Sequence, residues 1–386
     1  MSICISQILA TLGSRQIVCR TLPRPTVCHD ADGRMAIRPG NNAVVVRVRL
    51  AGDRRTYAMK CYTRPKQRLA AIYGESYLPA ELFVYDISGH GSWIDIVLAE
   101  WVEGRTLDEA MRDAAADRMA LSRLSRDFDS LALGLLASER AHGDLKPENI
   151  VCSPRGMTPV DWDAAYLPGY AGCRAVETGT PDYQHPSRTA DMYDKRIDDY
   201  PAALISTMLA LAAADPAAAA QMTDGEGRMF SPALAVAGRD PKLHRAEHIL
   251  ARSGDASHYR IARLLSSPTA SLPALAQLLS IALSDPADPA RGFDGATLEH
   301  GRFGWGYMRR GEWVVPPLYD SGFEPTEGTA LVELGGCRHF ISCTGRSLME
   351  CSRFDSIKPL SGGRARAESG GRRCTVTLDG DVEYEF

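Results

Sequence analysis

His142-Gly143-Asp144-Leu145-Lys146-Pro147-Glu148-Asn149, followed by Ile150-Val151, is the stretch that decides how this chain is read. Phosphoryl transfer needs a carboxylate to orient a hydroxyl and take its proton. It also needs a cation beside the moving phosphate and oxygen ligands for magnesium. Asp144, Lys146 and Asn149 supply those three chemistries within six residues. Twelve residues after Asn149, Val160-Asp161-Trp162-Asp163 ends an apolar strand on a further carboxylate, and Asp161 is suited to hold a metal bridging nucleotide phosphates.

Upstream, Tyr57-Ala58-Met59-Lys60 reads as a strand whose alternation puts Ala58 and Lys60 on one face. A small residue there admits a flat base while the ammonium reaches phosphates. Together these motifs resemble the protein kinase superfamily, in its bacterial eukaryotic-like Ser/Thr branch. Residues 142–149 look like the catalytic loop, Asp161-Trp162-Asp163 stands in place of Asp-Phe-Gly, and Tyr57 to Lys60 resembles Val-Ala-Ile-Lys.

The resemblance implies ATP and Mg2+ as cofactors, Asp144 and Lys146 as catalytic residues, and Asn149 and Asp161 as metal ligands. It assigns the phosphates to Lys60 and to the loop Gly40-Asn41-Asn42-Ala43-Val44-Val45, in which Gly40 alone remains of the usual three glycines. Leu98 to Gly104 resembles the hinge, with backbone groups of Glu100 and Val102 meeting adenine and Val45, Ala58 and Val151 walling it. Glu75, or else Glu81, is expected to pair Lys60 from a helix.

Gly179-Thr180-Pro181-Asp182-Tyr183-Gln184-His185-Pro186-Ser187 resembles the end of an activation segment, with Ser187 where a glutamate forms a buried ion pair. Asp198 fits the residue that braces the catalytic loop. Gly143 replaces the loop's arginine, so control by a phosphorylated activation segment is not expected.

The fold implied is α+β: a bilobal protein-kinase-like fold followed by a small β-rich repeat domain. Residues 35–103 form the N-lobe, 104–285 the C-lobe and 286–298 a Pro/Asp/Gly-rich linker, with 1–34 unassigned. Val44 to Leu50 and Thr56 to Tyr62 read as strands, Thr106-Leu107-Asp108-Glu109 as a helix start, and Pro201 to Ala214 as a buried helix.

Beyond the linker an internal period appears. Gly311, Gly345 and Gly380 are spaced by 34 and 35 residues, and Tyr319-Asp320 recurs as Phe354-Asp355. Gly304-Trp305-Gly306-Tyr307, Tyr319-Asp320 and Glu327-Gly328-Thr329-Ala330 resemble one unit of a WG-type repeat in residues 299–386. Its partner or ligand is not readable. Phe303, Trp305 and Trp313 serve either as binding surface or as core.

Net charge is −4 over 386 residues, so no basic field draws nucleic acid or an anionic membrane. Ten cysteines without a Cys-x-x-Cys pair suit free thiols in a cytoplasmic protein. The longest apolar run, Ala202 to Ala214, is too short to span a bilayer. The expected activity is transfer of the γ-phosphate to Ser/Thr hydroxyls of a protein substrate. The alternatives are a small-molecule phosphotransferase of the aminoglycoside or choline kinase kind, or a nucleotide-binding scaffold without activity.

Overall fold

Val44, Val46 and Val48 alternate with Val45, Arg47 and Arg49 and give a strand with one wholly apolar face. The computed structural model describes residues 3–14, 16–40, 42–85, 89–284, 290 and 292–385. Asn41 of the glycine loop and residues 286–289 and 291 of the expected linker lie outside these. Helix and strand contribute 31% and 29%, an α+β composition. The chain divides into two compact units, Met1–Arg105 with Ser153–Ala165, and Thr106–Cys152 with Tyr166–Phe386.

The first unit holds helix α1 (Ile5–Leu12) and strands β1 (Thr26–Val27), β2 (Ile37–Pro39), β3 (Ala43–Arg49) and β4 (Thr56–Tyr62). Helix α2 (Leu69–Tyr73) follows, then β5 (Tyr77–Tyr85) and β6 (Gly91–Glu100). The strands form one antiparallel sheet in the order β1-β3-β4-β6-β5, with β2 also on β3. Register places Val46 opposite Met59 and Val44 opposite Cys61. These side chains, with Leu82, Val84 and Ile96, make a buried layer covered by Ile8 and Leu12 of α1 and by Ile3 just before it.

Each such side chain contributes roughly 1.5–3 kcal/mol relative to exposure, so the α1 contacts are a substantial part of this core. The N-terminal segment, silent in the sequence, is therefore the lid of the sheet's back face. Glu81 ties it down: its Oε1 accepts from the N–H groups of Thr21 and Leu22, both at 2.8 Å, and its Oε2 from the Thr21 hydroxyl at 2.9 Å.

Short strands β7 (Arg105–Thr106), β8 (Ile150–Ser153) and β9 (Gly156–Pro159) come next in chain order among the strands. The second unit carries α3 (Leu107–Asp113), α4 (Arg118–Ala137), α5 (Asp199–Ala214), α6 (Pro216–Met222), α7 (Pro232–Val236), α8 (Pro241–Ser253), α9 (Ala256–Leu264) and α10 (Leu275–Leu283). The expected start at Thr106 is a capping box, with Glu109 Oε2 accepting from the Thr106 N–H at 3.0 Å. Helix α5 is buried along nearly its whole length. It needs polar partners only where it carries them, and the Ser206 hydroxyl donates to Asp129 of α4 at 2.7 Å.

Asp129 also meets His258 Nε2 at 2.9 Å, while His258 Nδ1 meets Asp255 at 2.7 Å. Burial alone would depress the imidazolium, but Asp255 and Asp129 outweigh it and hold the His258 pKa well above 6.5. Among the described residues, no helix is long and apolar enough to cross a membrane.

The last 90 residues belong to this same unit and form three small antiparallel sheets. The first has β10 (Thr297–Gly301), β11 (Gly304–Arg309) and β12 (Glu312–Tyr319). The second has β13 (Ser321–Gly322), β14 (Ala330–Leu334), β15 (Cys337–Ile341) and β16 (Ser347–Glu350). The third has β17 (Ser356–Ile357), β18 (Ala365–Ser369), β19 (Arg372–Val376) and β20 (Val382–Tyr384).

The repeated aspartates share a role at the turns. Asp320 accepts from the N–H of Gly335 at 2.6 Å, and Asp355 from that of Gly371 at 3.2 Å, each capping the next hairpin turn. Glu327 joins two successive repeats by accepting from Gly362 and Gly363 at 2.6 and 2.8 Å.

These sheets are docked on α8 and α9. Arg260 donates to the Leu318 carbonyl and to Asp320, both at 2.8 Å. Buried His339 meets the Ala251 carbonyl at the end of α8 through Nε2, at 2.9 Å, and Ser347 through Nδ1, also at 2.9 Å. Gly335 fits the seam, since a Cβ there would lie 2.9 Å from both Ala251 Cβ and the Tyr259 ring, at a φ of +56°. Gly335→Val is expected to destabilise the protein by about 1–3 kcal/mol through overpacking and backbone strain. Chemical denaturation checks this, with Gly336→Val, which meets no neighbour within 4 Å, as the comparison.

Candidate active site

The first set of candidate residues is built on β3, β4 and β6. Directly opposed residues share a face, so Val45, Lys60 and Val97 form one row, and Arg47, Ala58 and Ala99 the next. The alternation expected of Ala58 and Lys60 thus holds, and Val45 lies beside Lys60. Gly40 sits at the turn between β2 and β3, where its N–H donates to the Ala43 carbonyl at 2.9 Å.

At the end of β6 the Trp101 N–H donates to the Thr56 carbonyl at 2.9 Å. Strand alternation then turns the backbone groups of Glu100 away from β4, toward an edge that β5 covers only as far as Val97. The side chain of Glu100 is exposed. Arg47, unremarked in the sequence, pairs with Glu103 and lies over the Trp101 ring at 5.4 Å.

Lys60 is nearly buried and meets two carboxylates. Its Nζ lies 2.5 Å from Asp161 and 2.8 Å from Asp163. Asp161 adopts a left-handed backbone, φ 64° and ψ 62°, which Asp tolerates better than most residues. Its side chain is 46% exposed.

Asp163 is 5% exposed and saturated: Lys66 donates to it at 2.8 Å, Tyr62 at 2.9 Å and Tyr73 at 2.7 Å. Burial opposes its ionisation, but Lys60 and Lys66 prevail and hold its pKa down at about 2. The same burial, with the Asp163 charge beside them, pushes both tyrosine hydroxyls far up.

The partner expected from a helix is not found at either glutamate. Glu75 is exposed in a turn after α2, and Glu81 is committed to Thr21 and Leu22. Sequence spacing alone gives Asp163 no role. Its signal was a second acid two residues from Asp161, with Tyr62 two residues from Lys60 on the same strand face.

The second set of residues lies in the other unit. Asp144 Oδ1 accepts from the Thr180 N–H at 2.6 Å, and Oδ2 from the Asn149 amide at 3.2 Å. That amide also donates to the Asp144 carbonyl at 2.9 Å. Its nitrogen is thus committed, and Oδ1 is the atom left for a cation. Lys146 donates to the Thr180 hydroxyl at 2.9 Å and stands 3.5 Å from Asp144. Asp144, Lys146 and Asn149 are therefore brought together as their spacing suggests, and Thr180 joins them from 36 residues away. Val151 is buried in β8 of this unit.

Asp198 accepts from the backbone N–H of Gly143 at 2.9 Å and from that of His142, the bracing geometry expected of it. Burial raises its pKa, while His142 and these two N–H groups oppose the rise. Ser187 is held by a neighbouring histidine. His185 accepts from the Ser187 N–H at 3.1 Å through Nδ1, meets the Ser187 hydroxyl at 2.7 Å, and reaches the Ser267 carbonyl at 3.1 Å through Nε2. Its ring packs edge-on to Tyr200, 5.1 Å between centroids.

Of the aromatic residues weighed for the repeats, Trp313 is exposed and Phe303 and Trp305 are half-buried; Tyr307, which was not among them, fills the core. Gly306 is set by close approach, because a Cβ would fall 2.5 Å from the Val315 carbonyl of the next strand. A Trp-Gly pair opening a hairpin thus follows from packing. Residues 305–336 match the family model of the WG containing repeat. The WG repeat therefore spans β11 to the β14–β15 turn, including the Asp320 cap and the Glu327 bridge. No curated protein matches the chain. Among the described residues no three His, Cys, Asp or Glu side chains gather as a metal site.

Proposed function

We propose that the chain has a bilobal protein-kinase-like fold and is a protein kinase that moves the γ-phosphate of ATP to serine or threonine hydroxyls. The observation that carries this reading is the Asp144 carboxylate, held by the Thr180 N–H and the Asn149 amide with the Lys146 ammonium 3.5 Å away. A carboxylate fixed in this way can accept a hydroxyl proton, and the ammonium can meet the charge that develops on the transferred group. The Lys146–Thr180 bond favours a protein acceptor, because Thr180 lies in the segment that resembles a substrate-facing activation segment.

The residues fit the cofactors. Asp161 offers an exposed carboxylate and Asn149 a free amide oxygen, hard donors of the kind magnesium takes with water and phosphate oxygens. Magnesium would neutralise phosphate charge when bound. Lys60 would hold the phosphates, Val45 and Ala58 would pack on the base, and the Glu100 and Val102 backbone would meet its polar edge. The ten cysteines are all free, which suits a reducing cytoplasm.

The test is transfer of labelled γ-phosphate from ATP with magnesium to the chain itself and to generic protein acceptors. Label on serine or threonine supports the reading. Label appearing only on small hydroxyl compounds, or none at all, sinks it. Because Gly143 offers no guanidinium to a phosphate, prior phosphatase treatment is expected to leave the rate within about twofold. Abolished activity would contradict that.

A further inference from the structure

Lys60 is held by two acids, Asp161 at 2.5 Å and Asp163 at 2.8 Å, neither of them on an α-helix. Helix α2 has five residues, Leu69–Tyr73, none of them acidic. Glu75 is exposed, and Glu81 is bonded to the N-terminal segment. Asp163 takes the place that a helix glutamate would fill. Its Oδ2 receives Lys60 and Lys66, and its Oδ1 receives Tyr62 and Tyr73. With both oxygens engaged, it has little capacity for a metal, whereas Asp161, two residues earlier, is 46% exposed at its side chain.

We propose that Asp163 is the positioning residue for Lys60, so that one short loop sets both the lysine and the metal-binding carboxylate of Asp161. The proposal rests on the phosphotransfer reading. Its consequence concerns regulation. The donors to Asp163 come from β4, the loop behind it and α2, all in one compact unit. The lysine is thus anchored without the inward swing of a glutamate-bearing helix, and control through such a swing is absent.

Two measurements on the full chain test this. The first needs no nucleotide: modification of Lys60 by a water-soluble amine-acylating reagent, read by peptide mass spectrometry. Asp163→Asn is expected to speed modification at Lys60 by about fivefold or more, because a charge-assisted bond is lost. Glu75→Gln should leave it at the wild-type rate. The second is the split between KM for ATP and kcat. Asp163→Asn should raise KM about tenfold or more, Asp163→Glu should restore most of it, and Glu75→Gln should leave it unchanged.

Faster acylation or a raised KM in Glu75→Gln, with Asp163→Asn like wild type, overturns the assignment. A loss in Asp163→Asn that Asp163→Glu does not rescue, with a lowered melting temperature, makes Asp163 merely structural and also overturns it. If the wild-type chain neither transfers phosphate nor is stabilised by Mg-ATP, the phosphotransfer reading fails and the proposal falls with it. The acylation pattern then tells that failure apart from a wrong choice of anchor.

Discussion

Asp144→Asn is expected to lower phosphoryl transfer by about a thousandfold or more while leaving Mg-ATP stabilisation of the fold nearly intact. Asparagine keeps the shape, and its oxygen can still accept from the Thr180 N–H that now lies 2.6 Å from Asp144. It cannot take a proton from a hydroxyl, and it removes the negative partner of Lys146. General-base catalysis contributes about a hundredfold to ten-thousandfold, and the lost orientation of the nucleophile adds to it. The measurement is single-turnover transfer of labelled phosphate alongside a thermal shift with Mg-ATP. A variant that transfers at the wild-type rate would remove Asp144 from the chemistry. A variant that no longer binds would show the substitution acting on the fold instead.

The largest stability effect is expected at His258. Buried Asp129, His258 at 11% exposure and the more open Asp255, 37% exposed, form a hydrogen-bonded charge cluster at the junction of α4 and α9. His258→Ala leaves buried Asp129 without its cation, and removing one partner of a buried pair costs about 3–5 kcal/mol. Denaturant unfolding followed by circular dichroism measures it, and a loss below about 1 kcal/mol would mean the carboxylates find other partners.

The pH dependence has a definite sign. The folded His258 pKa lies above its ordinary value, so its contribution is complete below about pH 6.5 and fades as pH rises through the raised pKa. The wild type should therefore lose more stability on alkalinisation than His258→Gln does. His339 acts in the opposite sense. Burial lowers its pKa, so its contribution is present above about pH 6.5 and is lost on acidification.

What the sequence disclosed was local. The strand pair at Val45 and Lys60, the capping box at Thr106, buried α5 and the cluster of Asp144 with Asn149 each depend on periodicity or spacing over a few residues. What it withheld depends on pairs far apart in the chain. Thr180 reaches Asp144 across 36 residues, Tyr73 reaches Asp163 across 90, and His339 reaches Ala251 across 88.

The hidden anchor at Asp163 has a further cause. Lys66 lies in an irregular stretch and Tyr73 closes a five-residue helix, so neither belongs to a pattern that announces a face. The N-terminal segment carried no motif because Ile3, Ile8 and Leu12 contribute apolar cover, to which no short signature corresponds. The WG repeat was visible through its Trp-Gly pair and its period. Its seat on α8 and α9 was not, because Arg260 and His339 look like ordinary surface residues until the fold closes around them.

That seat bears on how the protein can be cut. A chain ending before Thr297 would strip the cover from Ala251 and Tyr259, strand the Arg260 guanidinium, and open an apolar strip along two helices. Such a fragment would be prone to self-association and to capture by chaperones. Loss of activity in it would report a wounded helical body, not the removal of an optional accessory.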